Sequence, residues 1–120
     1  MSTLAVAKIG ALTILNTGTT SNVFKAREVY EDAEEIQLDA PAALDALTFT
    51  IEVTNDPDAA APVFTTLQDG SPPADVNPPA AGKSRSYASG LLGAGGFRIK
   101  ASGAVAADRI FNATKQYRVN

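Results

Sequence analysis

The chain contains no cysteine, no histidine and no tryptophan. Without cysteine no disulfide supports the fold and no thiol nucleophile is available, which fits an intracellular origin. Without histidine and cysteine the usual zinc sites, Ser-His-Asp triads and Cys-His pairs are excluded together. Long apolar runs are also missing. The run Ile9–Leu15 has no basic lead-in and gives way to polar Asn16–Thr20, so it does not read as a secretory leader. No run approaches the ~20 residues that span a bilayer. The expectation is a soluble chain, made in the cytoplasm without cleavage and without membrane contact. With 120 residues, one domain is the natural count.

Bases are absent from one long stretch. Residues 28–82 carry twelve acids and no Lys or Arg. Lys8, Lys25 and Arg27 precede it without an acid, and seven bases against Asp108 alone follow it. The formal charge of −3 therefore hides a strong polarity along the chain. Two readings follow: contact with a charged partner surface, or acidic and basic strands neutralising each other within one sheet.

What is present is alternation. In Leu47–Thr54 apolar and polar residues alternate over eight positions. A strand turns successive side chains to opposite faces, so Leu47, Phe49, Ile51 and Val53 share one face. The strand stops at Asn55-Asp56-Pro57-Asp58, where proline lacks a ladder donor and Asn and Asp favour turns. Ile36 and Leu38 alternate with acids and Gln37. Phe97, Ile99 and Ala101 alternate with Arg98 and Lys100. Asp108–Val119 is the longest candidate strand, with Phe111, Ala113, Tyr117 and Val119 on one parity. Val63–Gln68 and Lys83–Ser89 are further candidates. Residues 26–35 have helical spacing and admit one or two turns. Ser71–Ala81, with four prolines, predicts a stiff surface loop or edge crossing. Leu91 and Leu92, in the Gly90–Gly96 turn, are expected to plug one end of the core.

The pattern predicts an all-β fold: a single antiparallel β-sandwich or jelly roll of about seven to eight short strands. Residues 21–120 would form the sandwich. Residues 1–20 would form either its first strand or an N-terminal arm that leaves the domain and adds to a neighbour.

Candidate chemistry is sparse. Asp56, Asp58, Asp69 and Asp75 lie in turns without calcium-loop spacing and read as solvated. Glu31, Asp32, Glu34 and Glu35 could serve as the paired carboxylates of glycoside hydrolysis, but a polar run gives no pocket to raise a pKa. Gly90, Gly93, Gly95 and Gly96 match no dinucleotide fingerprint, and Gly82-Lys83-Ser84 lacks the upstream glycine of a P-loop. No enzyme, metal or cofactor is expected. The basic set Arg85, Arg98, Lys100, Arg109, Lys115 and Arg118 could form a binding face. Aromatic residues do not interleave it, so an acidic protein surface is the expected partner rather than nucleic acid.

Phe49-Thr50-Ile51-Glu52-Val53-Thr54-Asn55-Asp56-Pro57, Phe64–Gln68, Gly96–Gly103 and Arg109–Gln116 carry a resemblance. Across Leu47–Val119 the chain resembles small, Ala/Gly/Thr-rich, Cys-free virion proteins of tailed bacteriophages, of the capsid decoration or cement type. The resemblance implies a non-enzymatic protein in many copies on a capsid, bound to the major capsid protein or neighbouring virion subunits, with two- or three-fold self-association. The basic set and the arm residues Leu4, Val6 and Ile9 would make the contacts, and an Arg98→Glu, Lys100→Glu double change would weaken attachment. The alternative is a carbohydrate-binding or adhesion module of a phage tail or fibre, resting on Tyr30, Tyr87 and Tyr117.

Overall fold

A computed structural model describes residues 3–120. Ten strands and one helical turn follow in order: β1 (Thr3–Ile14), β2 (Phe24–Lys25), α1 (Ala26–Val29), β3 (Ala33–Asp39), β4 (Phe49–Thr54) and β5 (Thr65–Thr66), then β6 (Gln68–Asp69), β7 (Ala74–Asp75), β8 (Ser84–Ala88), β9 (Gly96–Ala101) and β10 (Arg109–Val119). Two four-stranded sheets form, β1-β10-β3-β8 and β2-β9-β4-β5, and β6 pairs with β7 as a separate hairpin. All pairs are antiparallel.

The β6–β7 hairpin is an insertion between the fifth and sixth sandwich strands. With it set aside, one sheet runs first-eighth-third-sixth and the other second-seventh-fourth-fifth. That order is the jelly roll, in which a long hairpin folds over so that its two limbs alternate between sheets. The choice between jelly roll and immunoglobulin-like sandwich is thus made by topology, which periodicity does not encode.

The core lies between the sheets. Leu12, Ile14, Ile36, Leu38, Tyr87 and Phe111 enter from one side, and Phe24, Ile51, Phe97, Ile99 and Ala101 from the other. Phe97 takes Phe24 and Tyr30 edge-on, with ring centroids 5.7 and 5.4 Å away. Each such fully buried large side chain is worth about 1.5–3 kcal/mol in transfer terms. Leu92, from the Gly90–Gly95 turn, and Val105 close the core with almost no exposure.

Most expected strands form, β4, β8 and β10 with shorter limits and β3 and β9 with longer ones. The expected strand Val63–Gln68 is interrupted at Leu67, between β5 and β6, and the Leu67 N–H donates to Ile51 O in the β4–β5 register. The proline segment is only partly a surface loop. Ser71–Asp75 are exposed, but Val76, Pro78 and Pro79 are buried, and the Val76 N–H donates to Leu67 O. The longest strand is β1, not the last one. Twelve residues at about 3.3 Å each give ~40 Å, against a longest molecular dimension of 47 Å.

β1 changes face partway. Its register against β10 shifts between Lys8 and Gly10, where Gly10 has φ +114°. That backbone suits glycine, and the bulge inserts one residue. Beyond it Leu12 and Ile14 point into the core. Before it, Ala5 and Ala7 are half-buried while Leu4 and Val6 face outward. The missing clean alternation in residues 4–15 is this bulge.

Candidate interaction surfaces

The acidic and basic parts of the chain meet within the fold, between strands at Glu52 and Glu34 and through loop residues at Asp45 and Asp32. On the outer face of the second sheet, Arg98 lies opposite Glu52 in the β9–β4 ladder, with Nε 2.9 Å from Oε1. Lys100 Nζ approaches the other Glu52 oxygen at 4.0 Å. Arg109 clasps Asp45 through Nε at 3.0 Å and Nη2 at 3.1 Å. Lys115 pairs with Asp32 at 2.7 Å, and Arg118 with Glu34 at 2.6 Å. Arg85 donates to the Asn77 carbonyl and lies over the Tyr87 ring. Every member of the expected basic set therefore has a partner within its own chain. The basic residues do not form one face: Arg98 and Lys100 lie on one sheet, Arg118 on the outer face of the other, and Lys115 on its inner parity. Neutralisation within one sheet, the second of the two charge readings, describes Arg98 and Lys100 with Glu52 and Arg118 with Glu34, whereas Asp45 and Asp32 meet Arg109 and Lys115 from loops.

The carboxylates respond accordingly. The Arg109 guanidinium holds Asp45 below the usual carboxylate range, and the Lys115 ammonium does the same for Asp32. Ser84 and Gln37 lower Asp39 by donating to it. Asp32 and Glu34 are used in ion pairs, while Glu31 and Glu35 are exposed. All four are exposed, and Glu31 lies at the lining of a cleft beside α1. Among the described residues no group of three or more acidic side chains converges as a metal site would require. Of the loop glycines, Gly95 presses against Thr54 and Asn55, and its carbonyl accepts the Ala26 N–H.

A cleft of about 620 Å³ opens between α1, the 55–58 turn and the 89–95 turn. Asp58 accepts from Lys25 Nζ at 2.6 Å and Arg27 Nη2 at 2.9 Å, and Lys25 is the main cause of its lowered pKa. Sequence reasoning placed Asp58 in a solvated turn and did not connect it with the two bases. Alternating bases at 25 and 27 beside a uniformly acidic stretch were the available signal. The cations in this cleft are matched by Asp58 and faced by Glu28, Glu31 and Asp56, so it has no net attraction for an anion.

The tyrosines are structural. Tyr30 donates to Gly93 O at 3.1 Å, and Tyr87 to Asn77 O at 2.6 Å. Both are 2% exposed, and burial pushes both phenols up to about 12. Tyr117 is half-exposed beneath Lys115 Nζ, 5.1 Å from its ring centroid.

Among the described residues the exposed large apolar side chains are Leu4, Val6, Leu15, Val63, Ile110 and Val119. Leu4 is 47% and Val6 66% exposed, on the outer face of β1 beside Arg118 and Gln116 of β10. Ile9 instead turns inward and packs against the core. The β1 edge beside Leu4 and Val6 has no further strand. Of the arm considered from sequence, residues 1–20, the part Thr3–Ile14 is paired with β10 inside its own domain; its first residues, Met1 and Ser2, lie outside the described residues. No helix among the described residues is long and apolar enough to cross a membrane.

No protein-family model matches the chain, and no curated protein matches it.

Proposed function

We propose that the chain is a non-enzymatic virion structural protein of the capsid decoration or cement type, bound to the major capsid protein or to neighbouring virion subunits on the particle surface. The observation that carries this reading is the exposed apolar strip of Leu4 and Val6 beside an open strand edge. Lys25, Arg27, Arg98, Lys100, Arg109, Lys115 and Arg118 are ion-paired within the chain, and Leu15, Val63, Ile110 and Val119 are further exposed apolar side chains. A protein that attaches by surface burial needs such a patch, with charge setting register and encounter rate more than affinity. The jelly roll supports the reading by analogy, since it recurs in viral capsid domains, although it also builds lectins and so does not fix function. Tyr30 and Tyr87 are buried with their hydroxyls bonded to backbone, so neither offers the stacking platform that the carbohydrate-binding alternative would use.

The test is quantitative mass spectrometry of density-purified particles from cells that make this chain. A fixed stoichiometry relative to the major capsid protein is expected. Expression in the cell with absence from purified particles would refute the assignment.

A further inference from the structure

The β1 edge is unlike the other three. Sheet edges offer unpaired backbone groups to any extended chain, and folded proteins protect them with short strands, prolines, charges or cover. β2 and β5 have two residues each, and β8 is a polar five-residue strand. β1 has twelve. Part of it is covered: Asn22 Oδ1 accepts the Thr13 N–H at 2.8 Å, and Asn22 Nδ2 donates to Ala11 O at 3.1 Å. An isolated bridge joins Ile14 to Ser21. Residues 3–10 have no such cover, and Lys8 is their only charge.

The bulge sets which groups face outward. Beyond Gly10, Ala11 and Thr13 present their backbone to Asn22 and away from β10. An inserted residue shifts the phase by one, so before the bulge Leu4, Val6 and Lys8 turn their N–H and C=O groups to the open edge. The β10 ladder agrees, since Ala5 and Ala7 then share hydrogen-bonded pairs with Tyr117 and Lys115.

We propose that two copies of this chain pair through their β1 edges, antiparallel about a twofold axis at Ala5, to join two four-stranded sheets into one of eight strands. In this register Leu4 of each copy exchanges backbone hydrogen bonds with Val6 of the other. The same pairing sets Leu4 against Val6 on the outer face, twice, and so covers the exposed side chains. It is isologous, as a twofold contact must be. Like charges do not meet, because the two Lys8 residues stand six residues apart along the ladder, about 20 Å. An edge this short buries well under the ~800 Å² per partner of a standard interface, so the dimer is expected to be weak, with Kd on the order of micromolar or above. The inference names a self-partner for the patch on which the structural-protein reading rests, yet it concerns the isolated chain and stands or falls independently of particle occupancy.

Sedimentation equilibrium over a concentration series tests it. The weight-average mass should rise from 12.4 kDa toward about 25 kDa as a twofold dimer forms, and 1 M NaCl should leave the curve in place. Val6→Pro removes an outward N–H that β10 does not use, a position where an edge strand tolerates proline. It should keep the protein monomeric at every concentration while circular dichroism shows an unchanged fold. Val6→Lys, which leaves the backbone intact, should do the same and covers the case in which the proline variant misfolds. A wild-type monomer at millimolar concentration, a dimer that survives both substitutions, one dispersed by salt, or an odd-numbered oligomer would each overturn the proposal.

Discussion

Arg98 stacks its guanidinium 3.7 Å from the centroid of the Phe64 ring while its Nε reaches Glu52, a carboxylate only 6% exposed. A cation and a buried acid on adjacent strands are thereby capped by an aromatic side chain from the loop before β5. Removing either partner leaves the other short of hydrogen bonds, and the penalty falls hardest where water cannot return. Arg98→Ala should therefore cost about 2–4 kcal/mol and Glu52→Ala about 1–3 kcal/mol, in that order, by urea denaturation. The reverse order would refute the argument. An Arg98→Glu, Lys100→Glu change gathers three carboxylates around the same site, so weaker attachment in that variant would report on folding as much as on binding.

Gly95 makes a similar point without charge. A Cβ there would lie 2.0 Å from Thr54 O, and backbone cannot move aside cheaply. Gly95→Ala should destabilise by roughly 3 kcal/mol or more. Gly90, in the same loop, has no heavy atom within 4 Å of an added Cβ, and Gly90→Ala should stay within ~0.5 kcal/mol. Comparable thermal midpoints for the two variants would contradict this.

Acid should unfold the protein through its paired aspartates. Asp32, Asp39, Asp45 and Asp58 all have lowered folded pKa values. Their contribution is present above the unfolded value of about 3.9 and is lost as pH falls through the lower folded values. Stability should hold between about pH 5 and 7 and decline below roughly pH 4. A decline already under way at about pH 6 would point to other groups.

Alkali acts through the two buried phenols. Tyr30 and Tyr87 are raised to about 12 from an unfolded value near 10. Their contribution is complete below pH ~10 and is lost as pH rises toward about 12. Tyrosinate absorbance in the near ultraviolet should show these two groups ionising late, together with loss of structure. Both ionising at the unfolded value in a folded protein would contradict their burial.

The alternation of Phe49, Ile51 and Val53, of Ile36 and Leu38, and of Phe97, Ile99 and Ala101 determined that the chain is antiparallel β, and largely which side chains enter the core. That information is local, because a strand's period of two is written into neighbouring residues. Residues 26–35 are ambiguous for the same reason, since one helical turn, α1, leaves too short a trace. Tertiary structure alone decided the rest. Pairing partners are non-local, so the jelly-roll order, the burial of Pro78 and Pro79, and the matching of bases to acids up to 84 residues apart, as in Arg118 with Glu34, leave no periodic mark. The sequence singles out Leu4 and Val6 as candidate contact residues, and the structure leaves both exposed. That they border an open edge follows from a bulge at Gly10 and from which strands lie beside β1, and both depend on how distant segments pack.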